Sequence, residues 1–538
     1  AAKFAKSVLK TANVDSALNF DNAMLSRLEQ RLGAGAATNP IWDLENSKSL
    51  LVVAGNPTEE QNVLAVPAKK AVREGAKLVV IDSRETELTR YATEWLRPKP
   101  GSEALLIAGI SRVILDEALE DKEFVGSRLD QAEELKQSLW TFDLAKVSRD
   151  TGIEDSQIRR AARIFAESDA GAILLGDDGL SASAAAQVVD ASVDLAAITG
   201  NIGKASGGIF PLYQGANTLG ARDMGATPGE NGRDIAAMIA GMSSGDVKAA
   251  LVMADGVSGY SPNLQTLPSA LEKLDFLVVS AALDSEITHH ADVVLPAATY
   301  AEQNSTVTNV ERRVQLLRVT AEPKHEEKTG WETVAAIANA MGGSGFDYAT
   351  SSDVFTEIAQ EVSNYSGLNY ERLQSGGVQW PVDSSILFSD EGSKVTVVAL
   401  SYDELANSTE STSLKFAPGR VLSQPERDVI VRKPADMNYV DREQFVQVHP
   451  DDAKSAGLNE GDIIQVKTDD GHVLARGKAV FESPQVGLVG ATTLFGELAT
   501  KMHELDVPDW TPQMPGLGYS TVTLESAPVE QEAGAAAD

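Results

Sequence analysis

The chain of 538 residues contains no cysteine. Iron–sulfur clusters and structural zinc sites draw thiolate ligands from closely spaced cysteines, so these residues hold no cysteine-ligated cluster and no disulfide. Long apolar runs are also missing. No stretch approaches the roughly 20 uninterrupted apolar residues that a membrane helix needs, which excludes direct helical insertion and leaves membrane association to partner subunits. Basic residues are scarce, with 46 Lys and Arg against 78 Asp and Glu, giving a formal net charge of −32. Such a surface repels nucleic acid and anionic lipid, so nucleic acid is not expected as a partner, and a cytoplasmic, solvated protein is. Six histidines are present and only His289 and His290 adjoin. Further ligands at helical or hairpin spacing are wanting, so the pair reads as a helix end rather than a metal site.

What is present is a chain long enough for several cores, with 43% hydrophobic residues. Apolar residues run without a break through Ser49-Leu50-Leu51-Val52-Val53-Ala54, as in a strand buried on both faces, and stop at Gly55-Asn56-Pro57. Residues 61–74 have helical spacing, Gly75 supplies a stop, and Lys77-Leu78-Val79-Val80-Ile81 reads as a second parallel strand ending at Asp82. A strand, turn, helix, strand unit that ends in an acid is the kind that carries nucleotides, the acid commonly holding a ribose hydroxyl.

Further segments follow in the same order as in one known family. Gly55-Asn56-Pro57, Ile81-Asp82-Ser83-Arg84-Glu85-Thr86-Glu87 and Trp95-Leu96-Arg97-Pro98-Lys99-Pro100-Gly101-Ser102-Glu103 resemble the molybdopterin oxidoreductases of the formate dehydrogenase type. The similarity continues through Thr199 to Gly203, Gln214 to Asn217, Asp223 to Gly225, Ala291 to Pro296 and Thr308 to Gln315, and covers nearly the whole chain. It implies an α/β fold: two doubly wound Rossmann-like α/β domains plus a C-terminal β-barrel domain. Residues 1–16 read as a remnant of the central α/β domain, against the family a start in mid-fold. Residues 17–230 read as the dinucleotide-binding-like domain and 231–345 as the second α/β domain. Residues 346–410, rich in Ser, Gly, Asn and Asp, read as an irregular surface connection. Residues 411–527 read as the barrel, with a hairpin over Asp462 to Lys467 and Val473 to Gly477. Residues 528–538 read as a disordered acidic tail.

The resemblance also implies a cofactor. Relatives hold one molybdenum or tungsten ion between the dithiolenes of two pterin guanine dinucleotides. Asn56, Asp82, Arg84 and Glu103 fall where they hold guanosine and phosphate, with Gly55, Pro57, Ser83, Gly101 and Gly176 completing the strand-end turns. Gln214, Gly215 and Asn217 fall beside a pterin. An ungapped alignment from Lys3-Phe4 and Asn13-Val14-Asp15 puts Asp21 at the metal-ligand position and Asn22 at the histidine that follows it in formate dehydrogenases. A carboxylate can ligate a hard, high-valent metal. The same Asn19-Phe20-Asp21-Asn22 run also reads as a helix N-cap. Arg84 can pair with Glu85 or Glu87. Two departures weaken the second dinucleotide site: Ala254-Asp255-Gly256-Val257 replaces a Gly-Glu-Asn-Pro-like turn, and Ser423 to Asp428 replaces a His/Thr-rich loop.

Two functions remain open on these residues. One is the large G-type component of respiratory complex I, a molybdopterin-enzyme fold with a degenerate metal site inside an NADH:quinone oxidoreductase-like assembly of iron–sulfur and flavin subunits. The other is a catalytic molybdenum or tungsten oxidoreductase of the formate dehydrogenase type, its cluster-bearing N-terminal segment absent from this sequence.

Overall fold

The computed structural model describes residues 1–16, 23–178, 180–213, 215–254, 267–284, 286–406, 414–421, 445–468, 473–481, 485–494 and 520–527. Asp21, Asn22, Gln214, Asp255 to Val257, Ser423 to Asp428, His503 and the tail 528–538 lie outside the described residues.

Five parallel strands, β1 (Ser49–Val53), β2 (Lys77–Ile81), β3 (Glu94–Leu96), β4 (Gly171–Leu175) and β5 (Gly208–Pro211), form one sheet in the order β3-β2-β1-β4-β5. Their unbroken apolar sequences have a simple cause. Leu51, Val53, Val79, Ile81, Ile173 and Leu175 enter one core, while Leu50, Val52, Leu78, Val80, Ala172 and Leu174 enter another on the opposite face. A strand covered on both sides cannot alternate apolar with polar. Helix α1 (Asn62–Arg73) covers the second face through Leu64, Ala68 and Ala71. Helices α2 (Glu103–Asp116) and α3 (Ala182–Ile198) cover the first. Because the chain winds outward from β1 to β3 and then returns to lay β4 on the other side of β1, the sheet has a switch point between β1 and β4. Open α/β sheets take their ligands at the carboxyl ends of the strands flanking such a point.

A second sheet holds β6 (Ala249–Ala254), β7 (Phe276–Ala281) and β8 (Val293–Pro296), again parallel. Ala250, Val252, Leu277 and Val279 pack with Ile239, Met242 and Leu271 on one side. Leu251 turns to the other, where Phe4 meets Val334, Ala338 and Phe346. The N-terminal residues therefore join this second core: Ala2–Phe4 is helical, Ala5–Leu9 continues as a π-helix, and Lys10 ends it at φ 57°.

The segment expected as an irregular surface connection is structured and built into the main core, which corrects the sequence reading. It contains a helix, Ser351–Glu361, opened by a Thr350–Asp353 capping box. Val378–Gln379 pairs with Arg313–Val314, and Val395–Thr396 pairs with Leu129–Asp130. Phe355, Tyr365, Leu368, Leu373, Trp380, Val395, Val397 and Leu405 all join the first core. They come from short, separate stretches of chain rather than from one long apolar run. Arg312 is the other anchor: fully buried, it donates from Nε to Trp380 O at 2.9 Å, from Nη2 to Ser385 O at 2.6 Å and from Nη1 to Ala37 O. A buried guanidinium with such carbonyl partners is a strong tie between distant stretches of chain.

Six strands close a barrel in the order Leu414–Val421, Leu488–Leu494, Phe445–Val448, Val473–Val480, Ile463–Thr468, Ser520–Ser526. Phe416, Val446, Val448, Ile464, Val466, Ala475 and Val489 fill it. The short helix before the hairpin is Pro450–Ser455, where Pro450 takes the first helical position and the His449 side chain accepts from Asp451 N. Among the described residues, no helix is long and apolar enough to cross a membrane.

Candidate functional site

At the switch point the backbone of β1 and the backbone of β4 touch. A Cβ on Gly176 would stand 2.2 Å from Ala54 O and 2.8 Å from Gly55 Cα, and one on Gly55 would stand 2.7 Å from Leu212 Cδ1. Only glycine fits this approach. Gly176 N donates to Val53 O at 2.8 Å and Asp178 N to Ala54 O at 3.0 Å, so the two strand-end turns are stitched together. Gly176→Ala should therefore lower stability by about 1–3 kcal/mol, as overpacking does. Its urea midpoint tests this; an unchanged midpoint would mean the approach is not tight.

The turn after β2 faces the same crevice. Asp82 is buried, its Oδ1 accepting from Arg84 N at 2.8 Å and from Arg84 Nε at 3.4 Å. Arg84 Nη2 donates to Asp178 Oδ2 at 2.7 Å across the sheet. The sequence-based partners of Arg84 were wrong: Glu85 reaches Arg90 at 3.5 Å and Glu87 reaches Lys69 at 2.6 Å. Burial raises the Asp82 carboxyl above its usual range, while the Arg84 charge opposes that shift. Ser83 Oγ donates to Pro98 O at 2.7 Å, which fixes the turn rather than offering a contact. Asn56 is nearly buried, its Oδ1 accepting from Thr58 Oγ1 at 2.7 Å, with Pro57 opening the short helix behind it.

Glu103 begins α2 at the far wall. It is 1% exposed, and its Oε2 has no hydrogen-bond partner. Gly101, at φ +86°, turns the chain so that its N–H reaches this carboxylate. Burial, with the nearby Asp82 charge adding to it, pushes the Glu103 carboxyl up to about 8. A fully buried polar oxygen without a hydrogen-bond partner is costly.

A second cluster lies on the loop after β5. Gly215 adopts φ +90°, and Asn217 precedes helix α4 (Thr218–Asp223). Asn217 Oδ1 accepts from Thr308 N at 2.8 Å. Gln61 Nε2, just past the Gly55 turn, donates to Tyr213 O and so ties the first turn to this loop. Thr308 Oγ1 lies 2.6 Å from Tyr365 OH, which donates to Asp223 Oδ2 at 2.9 Å. Burial pushes Asp223 up to about 6. Asp223 also borders a cavity of about 380 Å³, shared with Asp15, Glu29, Arg222, Asp234 and Trp380.

The structure thus brings Gly55, Asn56, Asp82, Arg84 and Gly176 together at the carboxyl ends of β1, β2 and β4, with Glu103 near enough to Asp82 for their charges to interact, and sets Gly215 and Asn217 apart on another loop. Sequence reasoning missed Asp178, although its place two residues after Gly176, at the end of the strand beside β1, was a usable signal. It also missed Thr308, Tyr365 and the cavity, which depend on contacts between distant segments. Among the described residues, no group of three His, Asp or Glu side chains could hold a metal. His289 ends the helix Glu286–His289, as expected.

Comparisons with known proteins fit this architecture. The molybdopterin oxidoreductase family profile matches residues 1–340, and the molybdopterin dinucleotide-binding domain profile matches residues 414–516. The coenzyme F420-dependent formate dehydrogenase subunit alpha of Methanocaldococcus jannaschii is 30% identical over 97% of this chain and 83% of its own length. The assimilatory nitrate reductase catalytic subunit of Bacillus subtilis is 28% identical over 88% of this chain and 74% of its own. In structure, the acetylene hydratase of Pelobacter acetylenicus shares the fold, with a TM-score of 0.63 at 19% identity over 88% of this chain and 73% of that one. Two family profiles, a relative aligned over nearly the full chain, and a glycine-lined crevice at the switch point of a parallel sheet place this chain in the molybdopterin oxidoreductase family.

Proposed function

We propose that the chain is the large, cofactor-binding subunit of a molybdenum or tungsten oxidoreductase of the formate dehydrogenase alpha type, working with partner subunits that carry iron–sulfur clusters and flavin. The carrying observation is the buried Glu103 Oε2 without a partner, set beside Asp82 in a crevice whose floor admits no Cβ. These residues fit a guanine dinucleotide. Guanine offers ring and exocyclic N–H donors, which would satisfy Glu103 and Asp82, and Arg84 brings a guanidinium suited to phosphate. Gly55 and Gly176 let a ligand approach the backbone closely. Gly215 and Asn217 would border the pterin.

When bound, molybdopterin guanine dinucleotide supplies a metal centre that exchanges two electrons. The work of the described residues is to bind and orient that group and to exclude water from Glu103 and Asp82. Asp21, by its alignment, would be the protein's oxygen ligand. The formate dehydrogenase and nitrate reductase relatives support a small oxyanion as the substrate class, with formate and nitrate as the first compounds to test.

A second reading, the scaffold role of the G-type component of complex I, is favoured by the Asp21-Asn22 pair and by the altered Ala254 to Val257 turn. A crevice that keeps a buried, unpartnered carboxylate speaks instead for retained cofactor, since an eroded site has no reason to keep that cost. Metal analysis by mass spectrometry on the native complex separates the two readings. Near-stoichiometric molybdenum or tungsten per chain is expected; absence of both metals would return the chain to a scaffold role.

A further inference from the structure

Between the Asn217 loop and the acidic cavity stand three side chains, Thr308, Tyr365 and Asp223, that can each accept and donate a proton. Thr308 is held to the loop by its N–H to Asn217 Oδ1. Gly220 makes room for this contact, since a Cβ there would stand 2.1 Å from Asn217 Oδ1 and 3.2 Å from Thr308 Oγ1. Thr308 Oγ1 and Tyr365 OH are 2.6 Å apart, both buried, and Tyr365 OH reaches Asp223 Oδ2 at 2.9 Å. Asp223 opens on the cavity.

We propose that Thr308, Tyr365 and Asp223 form a proton-exchange path joining the Gly215–Asn217 loop to the acidic cavity, with Asp223 as the exchanging carboxyl. The proposal rests on the oxidoreductase reading for its purpose, because two-electron conversion of a small oxyanion takes up or releases protons. No electrons move along the path. A proton released on substrate conversion enters at Thr308 Oγ1 as the Thr308 hydroxyl passes its own proton to Tyr365; Tyr365 passes its own on, an O–H bond forms on the Asp223 carboxylate, and the carboxyl then loses that proton to cavity water, so that each hydroxyl ends with the one proton it began with.

The other acids of the cavity have different tasks. Asp15 Oδ2 accepts from Ile235 N at 2.8 Å, Asp234 Oδ1 accepts from Ala237 N at 2.7 Å, and Glu29 pairs with Arg222 at 2.9 Å. Around Asp223, burial and the Glu29 charge favour the protonated form, while the Tyr365 hydrogen bond and the Arg222 charge favour the carboxylate. Tyr213, buried and with its hydroxyl unpartnered, is held neutral by burial and by the Asp223 charge. Their balance near 6 suits a group that must take and give a proton close to neutrality.

The test is an infrared pH titration of the purified native complex and of its Asp223→Asn, Asp223→Glu and Tyr365→Phe variants, with molybdenum and pterin measured in each preparation. The wild type should show a carboxyl band titrating near pH 6 that Asp223→Asn abolishes and that Tyr365→Phe moves to higher pH, because the hydroxyl no longer steadies the carboxylate. Formate oxidation with a viologen acceptor should fall roughly a hundredfold in Asp223→Asn, recover in Asp223→Glu, and show the same upward move of its acid limb in Tyr365→Phe. The titration decides even where turnover is absent. A band unchanged in Asp223→Asn, or a pH profile unmoved by either substitution in metal-replete protein, overturns the path. Missing molybdenum with an intact Asp223 titration overturns the oxidoreductase reading instead.

Discussion

Arg84→Ala will strip the guanine dinucleotide from the purified chain, lowering its occupancy by at least about tenfold relative to wild type. The guanidinium is held on both sides, by Asp82 within its own turn and by Asp178 across the switch point at 2.7 Å. Its removal does two things at once. It deletes the positive group that would meet phosphate, and it leaves two carboxylates facing each other in a partly buried crevice. Truncating one partner of such a pair typically costs about 2–5 kcal/mol, much of it from the charge left behind. Arg84→Lys keeps the charge but not the planar fork, so it should recover part of the binding. Pterin released from each variant, measured by fluorescence after oxidation, checks the order wild type, Lys, Ala. Equal content in all three would mean that Arg84 serves the fold alone.

Glu103→Gln will flatten the pH dependence of stability in the cofactor-free chain. Glu103 is pushed up to about 8 in the folded protein, against an ordinary value of 4.5 in the unfolded chain. Between those values the folded state holds a proton that the unfolded state has lost. The stability this contributes is fully present below the unfolded value and is lost as pH rises through 8. Each tenfold difference in proton affinity between the two states is worth about 1.4 kcal/mol, so the loss across the window is on the order of 5 kcal/mol. The glutamine has no ionisation to bury, so its urea midpoint should be higher than wild type at about pH 8 and similar at about pH 4. Bound dinucleotide should mask the difference by satisfying the carboxylate. Parallel pH curves for the two proteins would show that Glu103 is not the buried acid described.

The parts of the fold that were legible in the sequence share one property. β1 and β2 are covered on both faces, so burial forces the continuous apolar runs that mark them in the sequence. The segment 346–406 was misread, since its anchors, such as Phe355, Tyr365 and Trp380, come from short separate stretches and seat in a core built by other residues. The candidate site divides along the same line. Gly55, Asp82, Arg84 and Glu103 stand in local motifs that the sequence displays directly. The partner of Arg84 was misassigned because neighbours in sequence, Glu85 and Glu87, turn away to Arg90 and Lys69, whereas Asp178 arrives from a strand about a hundred residues on. The Asp223 path needed three separate segments to meet.

Guanine nucleotide and oxidised pterin released from the native chain, both normalised to protein, show whether the β1–β4 switch point holds a guanine dinucleotide. At least one of each per chain is expected in wild type, with their loss in Arg84→Ala; a native chain that releases neither does not bind the dinucleotide.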